Sequence, residues 1–267
     1  LRLLSQVRGV REDEIPGLLV NTFGGYSASR ANPQWISGVE RDIAALVVRL
    51  LGAGLAEREG ELMHLTLLGR ACGSSSLSLE SSLRLVELMR GLDVVGTPPF
   101  HLLALVQVLD EMDGVYTPVM KRGQSESKRA AEATQRFGHA RVRALQAYCR
   151  ESTDFWARCK RAAVLHDWIE GDPVEMIEAR YSTTPFAGAI GYGNIVGIAD
   201  ATRYHLRSAH RIIATLLPDQ PDFLLGLDQI LLRLEVGLPT PLLPLMQIPV
   251  ALTRGQHLAL GAAGEIG

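Results

Sequence analysis

Over residues 193–217 the chain reads GNIVGIADATRYHLRSAHRIIATLL, and Ile195, Ile198, Thr202, Leu206, Ala209, Ile213 and Leu216 recur at steps of three and four. That period marks one face of an α-helix. Arg203, Arg207 and Arg211 recur every fourth residue on the other side, with Tyr204, His205 and His210 interleaved. The same reading predicts helices over 83–89, 100–112, 125–151, 153–170, 174–181 and 223–236, then a final pair over 240–247 and 253–263. Breakers separate them: GTPP at 96–99, Gly171-Asp172-Pro173, and TPFAG at 184–188. Asp172 before Pro173 reads as an N-cap with proline at the first helical position. Short loops between amphipathic helices imply a bundle.

The first 90 residues are patterned differently. Residues 12–23 read as a short helix, and Val39, Ile43, Leu46, Val47 and Leu50 give the stripe of a second helix over 38–51, ended by Gly52 and Gly54. Two short extended runs follow, 55–58 and 62–65, around Glu59-Gly60, where glycine supplies the positive φ of a tight hairpin. Helix, helix, hairpin is a winged-helix pattern. Such modules bind nucleic acid in some proteins and are spacers in others, so the pattern alone assigns no function.

With 267 residues, 47% hydrophobic and 21% charged, and a mean hydropathy of +0.11, the chain has the composition of a globular protein of two or three domains. It contains no apolar run near the roughly 18 residues a membrane span needs and no signal-peptide pattern at its start, which points to the cytoplasm, or to the nucleoid in a prokaryote. Cys72, Cys149 and Cys159 form no CxxC and leave an odd thiol, so they read as packing residues in a reducing compartment. Leu1 in place of an initiating methionine suggests a piece of a longer protein.

The net charge is only −2, but it is unevenly spread: residues 121–161 hold eleven Lys and Arg against four Asp and Glu, while both flanks are acidic. This segment (Lys121, Arg122, Lys128, Arg129, Arg136, Arg141, Arg143, Arg150, Arg158, Lys160, Arg161) reads as a phosphate-facing surface or as a solubilising helix face. The arginine ladder over 203–211 has the same two readings. Cations with planar rings between them are what single-stranded nucleic acid requires of a protein, and a solvated face of an amphipathic helix has the same spacing.

Motifs for chemistry are weak. DEMD at 110–113 mimics a magnesium-binding motor site, but no GxxxxGKS or GxxxxGKT loop cradles phosphates, and an acidic cluster closing a helix accounts for it. The seven histidines show no HExxH or paired Cys/His spacing, and Ser74, Ser75 and Ser76 lie in GSSS rather than GxSxG. No catalytic, cofactor-binding or metal-ligating residue is assigned.

Several ordered segments carry a resemblance. KRAAVLHDWIE (160–170), EMIEARY (175–181), the 193–217 helix and LRLEVGLPTPLLPLMQIP (232–249), with LVNTFGGY (19–26) and LTLLGRACGSSSLSLES (65–81) before them, resemble the C-terminal region of the HELQ-type DNA repair helicases of superfamily II. The resemblance covers nearly the whole chain and implies a mostly α protein: a winged helix at 1–90, a ratchet-type helical bundle at 91–238 and a helix-hairpin-helix-like tail at 239–267. In that family a long ratchet helix of the bundle contacts the translocating strand. The 193–217 helix is its counterpart, with the stacking aromatic at His205 beside Tyr204. The family's basic residue one heptad earlier falls on Ile198, and Arg203 and Arg207 are placed to replace it. In the tail, Arg254 remains but Thr253 stands where the phosphate-binding turn has glycine, so packing is an equal role for it.

The resemblance thus implies nucleic-acid contacts at Arg203, Tyr204, His205, Arg207, Arg211 and Arg254 in a monomeric, membrane-free accessory region. That region grips single-stranded or forked DNA during 3′ to 5′ unwinding in DNA repair. ATP and magnesium belong to motor domains of the same polypeptide, and the region itself needs no cofactor. Two alternatives stay open: the accessory region of a related RNA helicase, and a free-standing winged-helix adaptor whose basic segment docks a protein.

Overall fold

The structure, a computed structural model, describes residues 1–32, 34–120, 126–184 and 187–264 and is mostly α-helical. Lys121, Arg122, the expected helix start at 125, and Pro185 and Phe186 of TPFAG lie outside the described residues.

The N-terminal part begins with a 3-10 turn and strand β1 (Val10–Arg11), followed by α1 (Ile15–Val20), α2 (Phe23–Ala31) and α3 (Trp35–Gly52). β2 (Ala56–Glu59) and β3 (Leu62–Leu65) pair antiparallel, Glu59 against Leu62 and Ala56 against Leu65, and β1 adds to the other edge of β3 through Val10 and Met63. Gly60 has φ +62, the left-handed conformation that the hairpin needs and that glycine adopts without steric cost. Val10, Ala56, Met63 and Leu65 are buried, and α3, which packs on β2, buries Ile43, Val47 and Leu50.

The helix expected over 12–23 is instead a 3-10 turn, α1 and the start of α2. Thr22 sets that break: its side chain accepts from the Gly25 N–H at 3.0 Å and so caps a new helix. Thr66 and Ser78 act alike at α4 (Leu67–Ser74) and α5 (Leu79–Arg90), accepting from Gly69 and Ser81 at 3.1 Å each.

The predicted helix over 100–112 is a broken run. A 3-10 turn leads to α6 (Leu102–Leu105), another follows, and after extended Leu109 comes the single turn α7 (Asp110–Asp113). The break lets Glu111 reach back to α5, where it accepts from Ser78 N and Ser81 Oγ. Helix α8 (Lys128–Gln146) is interrupted at Gly138, φ +78.

α9 (Ser152–Ile169) is the central rod, buried almost all round between α8, α6, α10 (Val174–Tyr181), α11 (Tyr192–Leu216) and α12 (Pro221–Val236). The cap of α10 differs from the expected one. Pro173 rather than Asp172 is the N-cap, and the Asp172 carboxylate pairs with Arg180 at 2.7 Å. Gly237, φ +67, closes α12 in the left-handed conformation typical of a helix C-terminus. A 3-10 segment (Thr240–Gln247) and α13 (Arg254–Ala262) complete the tail. One hydrophobic core runs without interruption from Leu4 to Leu234, joining the N-terminal part to the bundle. No helix among the described residues is long and apolar enough to cross a membrane.

Candidate nucleic-acid interface

The basic segment is largely internal, which corrects its reading as a phosphate-facing surface. Arg129, Arg158, Lys160 and Arg161 are buried. Arg158 makes a two-pronged contact with Asp113 (3.0 and 2.8 Å) and donates to the carbonyls of Leu145 and Ala147. Arg129 pairs with buried Glu126 at 3.1 Å and with Glu132 at 2.9 Å, and donates to Tyr181 O. Lys160 Nζ donates to Pro118 O and to Gly188 O at 2.9 Å. Burial pulls its pKa down to about 8, against the opposing pull of Glu126. Arg161 donates to Gln107 and Thr117 at 2.8 and 2.9 Å, and burial lowers it to about 10. A charge leaves water only when partners replace its hydration, and each of these cations has them. Of the rest, Arg136 is paired with Asp167, Arg141 donates to Thr97, and Lys128, Arg143 and Arg150 are exposed.

The DEMD carboxylates serve the same purpose. Asp110 pairs with Arg84, Glu111 ties α5 to α7, and Asp113 holds Arg158. Among the described residues no group of three or more His, Cys, Asp and Glu is arranged to hold a metal ion.

α11 has the two faces its sequence implies. Ile195, Ile198, Thr202, Leu206, Ala209, Ile212 and Ile213 are buried, packed against α12, α4, α5 and α9, while Arg207 and Arg211 are exposed. Ile198, where the resemblance would place a basic contact, is fully buried. Two polar contacts fix the helix. Thr202 accepts from Gln107 at 3.2 Å, linking it to Arg161 of α9, and Ser208 shares a 2.5 Å hydrogen bond with Ser76 of the N-terminal part.

The structure separates the expected contact residues. Arg207 and Arg211 stand in the open, and among the described residues no carboxylate lies within ion-pair distance of either. Tyr204, 58% exposed, is on the same side, about 20° around the helix from Arg211. His205 lies about 160° around from Arg207. It is partly buried with its ring edge-on to Tyr204, burial lowers its pKa, and the charge facing it is Glu111. It does not share the arginine face, whereas exposed Tyr204 does.

Arg203 is engaged by Glu235 of α12 at 2.5 Å. Arg254 is a staple rather than a free cation. Its guanidinium lies 4.2 Å from the Trp168 ring centre and donates to Gly237 O (2.7 Å), Asp172 O (2.8 Å) and Trp168 O (3.3 Å). The reason is local: Gly237 has no Cβ, and one built there would sit 2.4 Å from Trp168 and 2.5 Å from Arg254. Thr253 caps α13, its hydroxyl accepting from Gln256 N.

Beside the ladder a cleft of about 480 Å³ runs between α11 and α12, lined by Arg207, His210, Arg211, Asp228, Leu231, Leu232 and Glu235. The helices are antiparallel. Arg203 meets Glu235, His210 meets Asp228 at 3.1 Å, and Leu231 and Leu232 line the cleft between those two carboxylates. Sequence reading missed Asp228 and Glu235. Their seven-residue spacing matches that of Arg203 and His210, but only knowledge that α12 packs on α11 makes that match meaningful. No protein-family model matches this chain, and no curated protein matches it in sequence.

Proposed function

We propose that this chain is the strand-gripping C-terminal region of a HELQ-type superfamily II DNA helicase. In this reading residues 1–90 form a winged helix, 91–238 a ratchet-type bundle and 239–267 a terminal hairpin, and motor domains elsewhere in the same polypeptide use ATP and magnesium to draw the strand 3′ to 5′. Tyr204, Arg207 and Arg211 carry the grip: the arginines neutralise successive phosphates and the tyrosine stacks on a base, resisting backward slip. His205 orients Tyr204, and Arg203 and Arg254 begin bound to protein partners.

One observation carries the reading. A 25-residue helix is held rigidly by both the N-terminal part and the bundle, and its open side presents an exposed tyrosine and two arginines with no carboxylate partner among the described residues. The three-stranded sheet behind three helices, with β3 between β1 and β2, supports the winged-helix component. Burial of Arg129, Arg158, Lys160 and Arg161 removes much of the basic surface on which the adaptor alternative depends.

The test is fluorescence anisotropy of the 267-residue chain with a labelled 15-nucleotide oligothymidylate across a salt series. Arg207→Ala with Arg211→Ala should weaken binding and flatten the salt dependence by about 0.7 for each phosphate no longer neutralised. Tyr204→Ala should cost roughly 1–3 kcal/mol, the range for one base stacked on an aromatic ring. An unchanged Kd for the double arginine variant at low salt refutes the assignment. An RNA oligomer of matched sequence separates the DNA and RNA versions, because only a contact to the 2′-hydroxyl distinguishes them at equal charge.

A further inference from the structure

We propose that Asp228 and Glu235 of α12 are a built-in competitor for nucleic-acid phosphate, holding Arg203 and His210 in reserve so that the α11 ladder grips a strand with only part of its charge. The inference rests on the single-strand-binding reading above and names what tunes it.

The arrangement is regular. Arg203 and His210 are seven residues apart on α11, two helical turns, and so are Asp228 and Glu235 on the antiparallel α12. Both cross-pairs therefore form together, at 2.5 and 3.1 Å, at the two ends of the cleft that Arg207 and Arg211 line. Each pair lies at the surface. The Arg203 side chain is 25% exposed and that of Glu235 51%, while His210 and Asp228 are 34% and 61% exposed. Ion pairs this exposed are weak and open readily, so an arriving phosphodiester can displace a carboxylate. Until it does, Glu235 occupies the Arg203 guanidinium, Asp228 occupies the His210 ring nitrogen, and both carboxylates repel the strand. Partial grip suits a face along which a strand must slide: Arg207 and Arg211 capture it, and Arg203 and His210 engage only where a phosphate outcompetes α12.

Glu235→Gln and Asp228→Asn keep shape and remove charge, and they are measured in the same anisotropy assay beside wild type, Arg207→Ala with Arg211→Ala, and Glu57→Gln, an exposed carboxylate on β2 that serves as the net-charge control. Glu235→Gln should tighten binding about fivefold at low salt. It should also steepen the slope of log K against log salt by about 0.7, one further phosphate contacted by the released Arg203. Asp228→Asn should tighten binding without unfolding the chain, and it carries the same test if Glu235→Gln fails to fold.

Wild-type binding that depends on Arg207 and Arg211 but is not strengthened by either carboxylate variant overturns this inference alone. Tightening by Glu57→Gln equal to that of Glu235→Gln also overturns it, since bulk charge then explains the gain. If no form of the chain binds, both readings fall; binding gained only in the carboxylate variants supports both.

Discussion

Asp167→Asn should remove about 3–5 kcal/mol of stability, the range for breaking a buried ion pair by deleting one partner. The side chain is 4% exposed at the meeting of α8, α9 and α10. It accepts from Arg136 Nε at 2.9 Å and Nη2 at 3.0 Å, from Tyr181 Oη at 2.7 Å, and from Arg180 and His166. Asparagine has the same shape but only one acceptor oxygen and no charge, so Arg136 loses its counter-charge and the donors from Arg136, Arg180 and Tyr181 are left competing for one oxygen.

Burial alone would raise the Asp167 pKa. Hydrogen bonds from His166, Arg136 and Tyr181 and the Arg136 charge outweigh it and hold the carboxyl well below the usual range. A carboxyl with a depressed folded-state pKa adds stability above its unfolded pKa, about 3.9, and loses it as pH falls below that value. Urea unfolding of wild type and variant from pH 7 to pH 3 tests this. The gap should be constant down to about pH 5 and narrow toward pH 3. In a calorimeter the midpoint should fall by about 6–20 °C at pH 7, taking roughly 2–4 °C per kcal/mol for a chain of this size. A gap below about 1 kcal/mol at pH 7, or one that widens on acidification, would refute the claim that this carboxylate is a buried hub.

Leu206→Ala, at a fully buried position of α11, should cost about 2–5 kcal/mol in urea unfolding while leaving oligothymidylate affinity intact under conditions where the variant is folded, because the truncated side chain faces the core. Burial pushes the thiols of Cys72 and Cys159 up to about 11 and about 12, so a thiol-titrating disulfide reagent at pH 8 should modify no more than one cysteine of the native chain, partly buried Cys149, and all three in urea. Complete labelling of the native chain would show that those two sites are not closed.

Most of the helices are legible in the sequence because burial on one side leaves a period there. The α10 span is legible to the residue, α11 and α12 within two residues at each end, and the 59–62 hairpin from its glycine. α2, α4 and the breaks near Leu109 and Gly138 are not. α2 and α4 are short and start at threonine caps within mixed sequence, and the Leu109 break depends on Glu111 finding α5, a contact between residues about thirty apart. At the site, periodicity identifies the open flank of α11 and the exposure of Arg207 and Arg211. It gives no means of dividing Arg203 from them, whereas His205 is divided from Tyr204 by the same steps of about 100°, which put it about 160° from Arg207.

By itself the sequence determined which side of α3 and α11 faces the core, since that follows from solvent exclusion of apolar groups at fixed angular steps; α9, buried almost all round, has no such side to read. Tertiary structure alone decided what became of the charges. An arginine on a helix is available to a ligand only if no carboxylate or carbonyl from elsewhere reaches it first. Those partners came from far along the chain: Asp113 for Arg158, Asp167 for Arg136, Glu235 for Arg203, and the carbonyls of Trp168, Asp172 and Gly237 for Arg254. Coulombic and hydrogen-bond energies fall steeply with distance and depend on burial, so they are set by packing between helices.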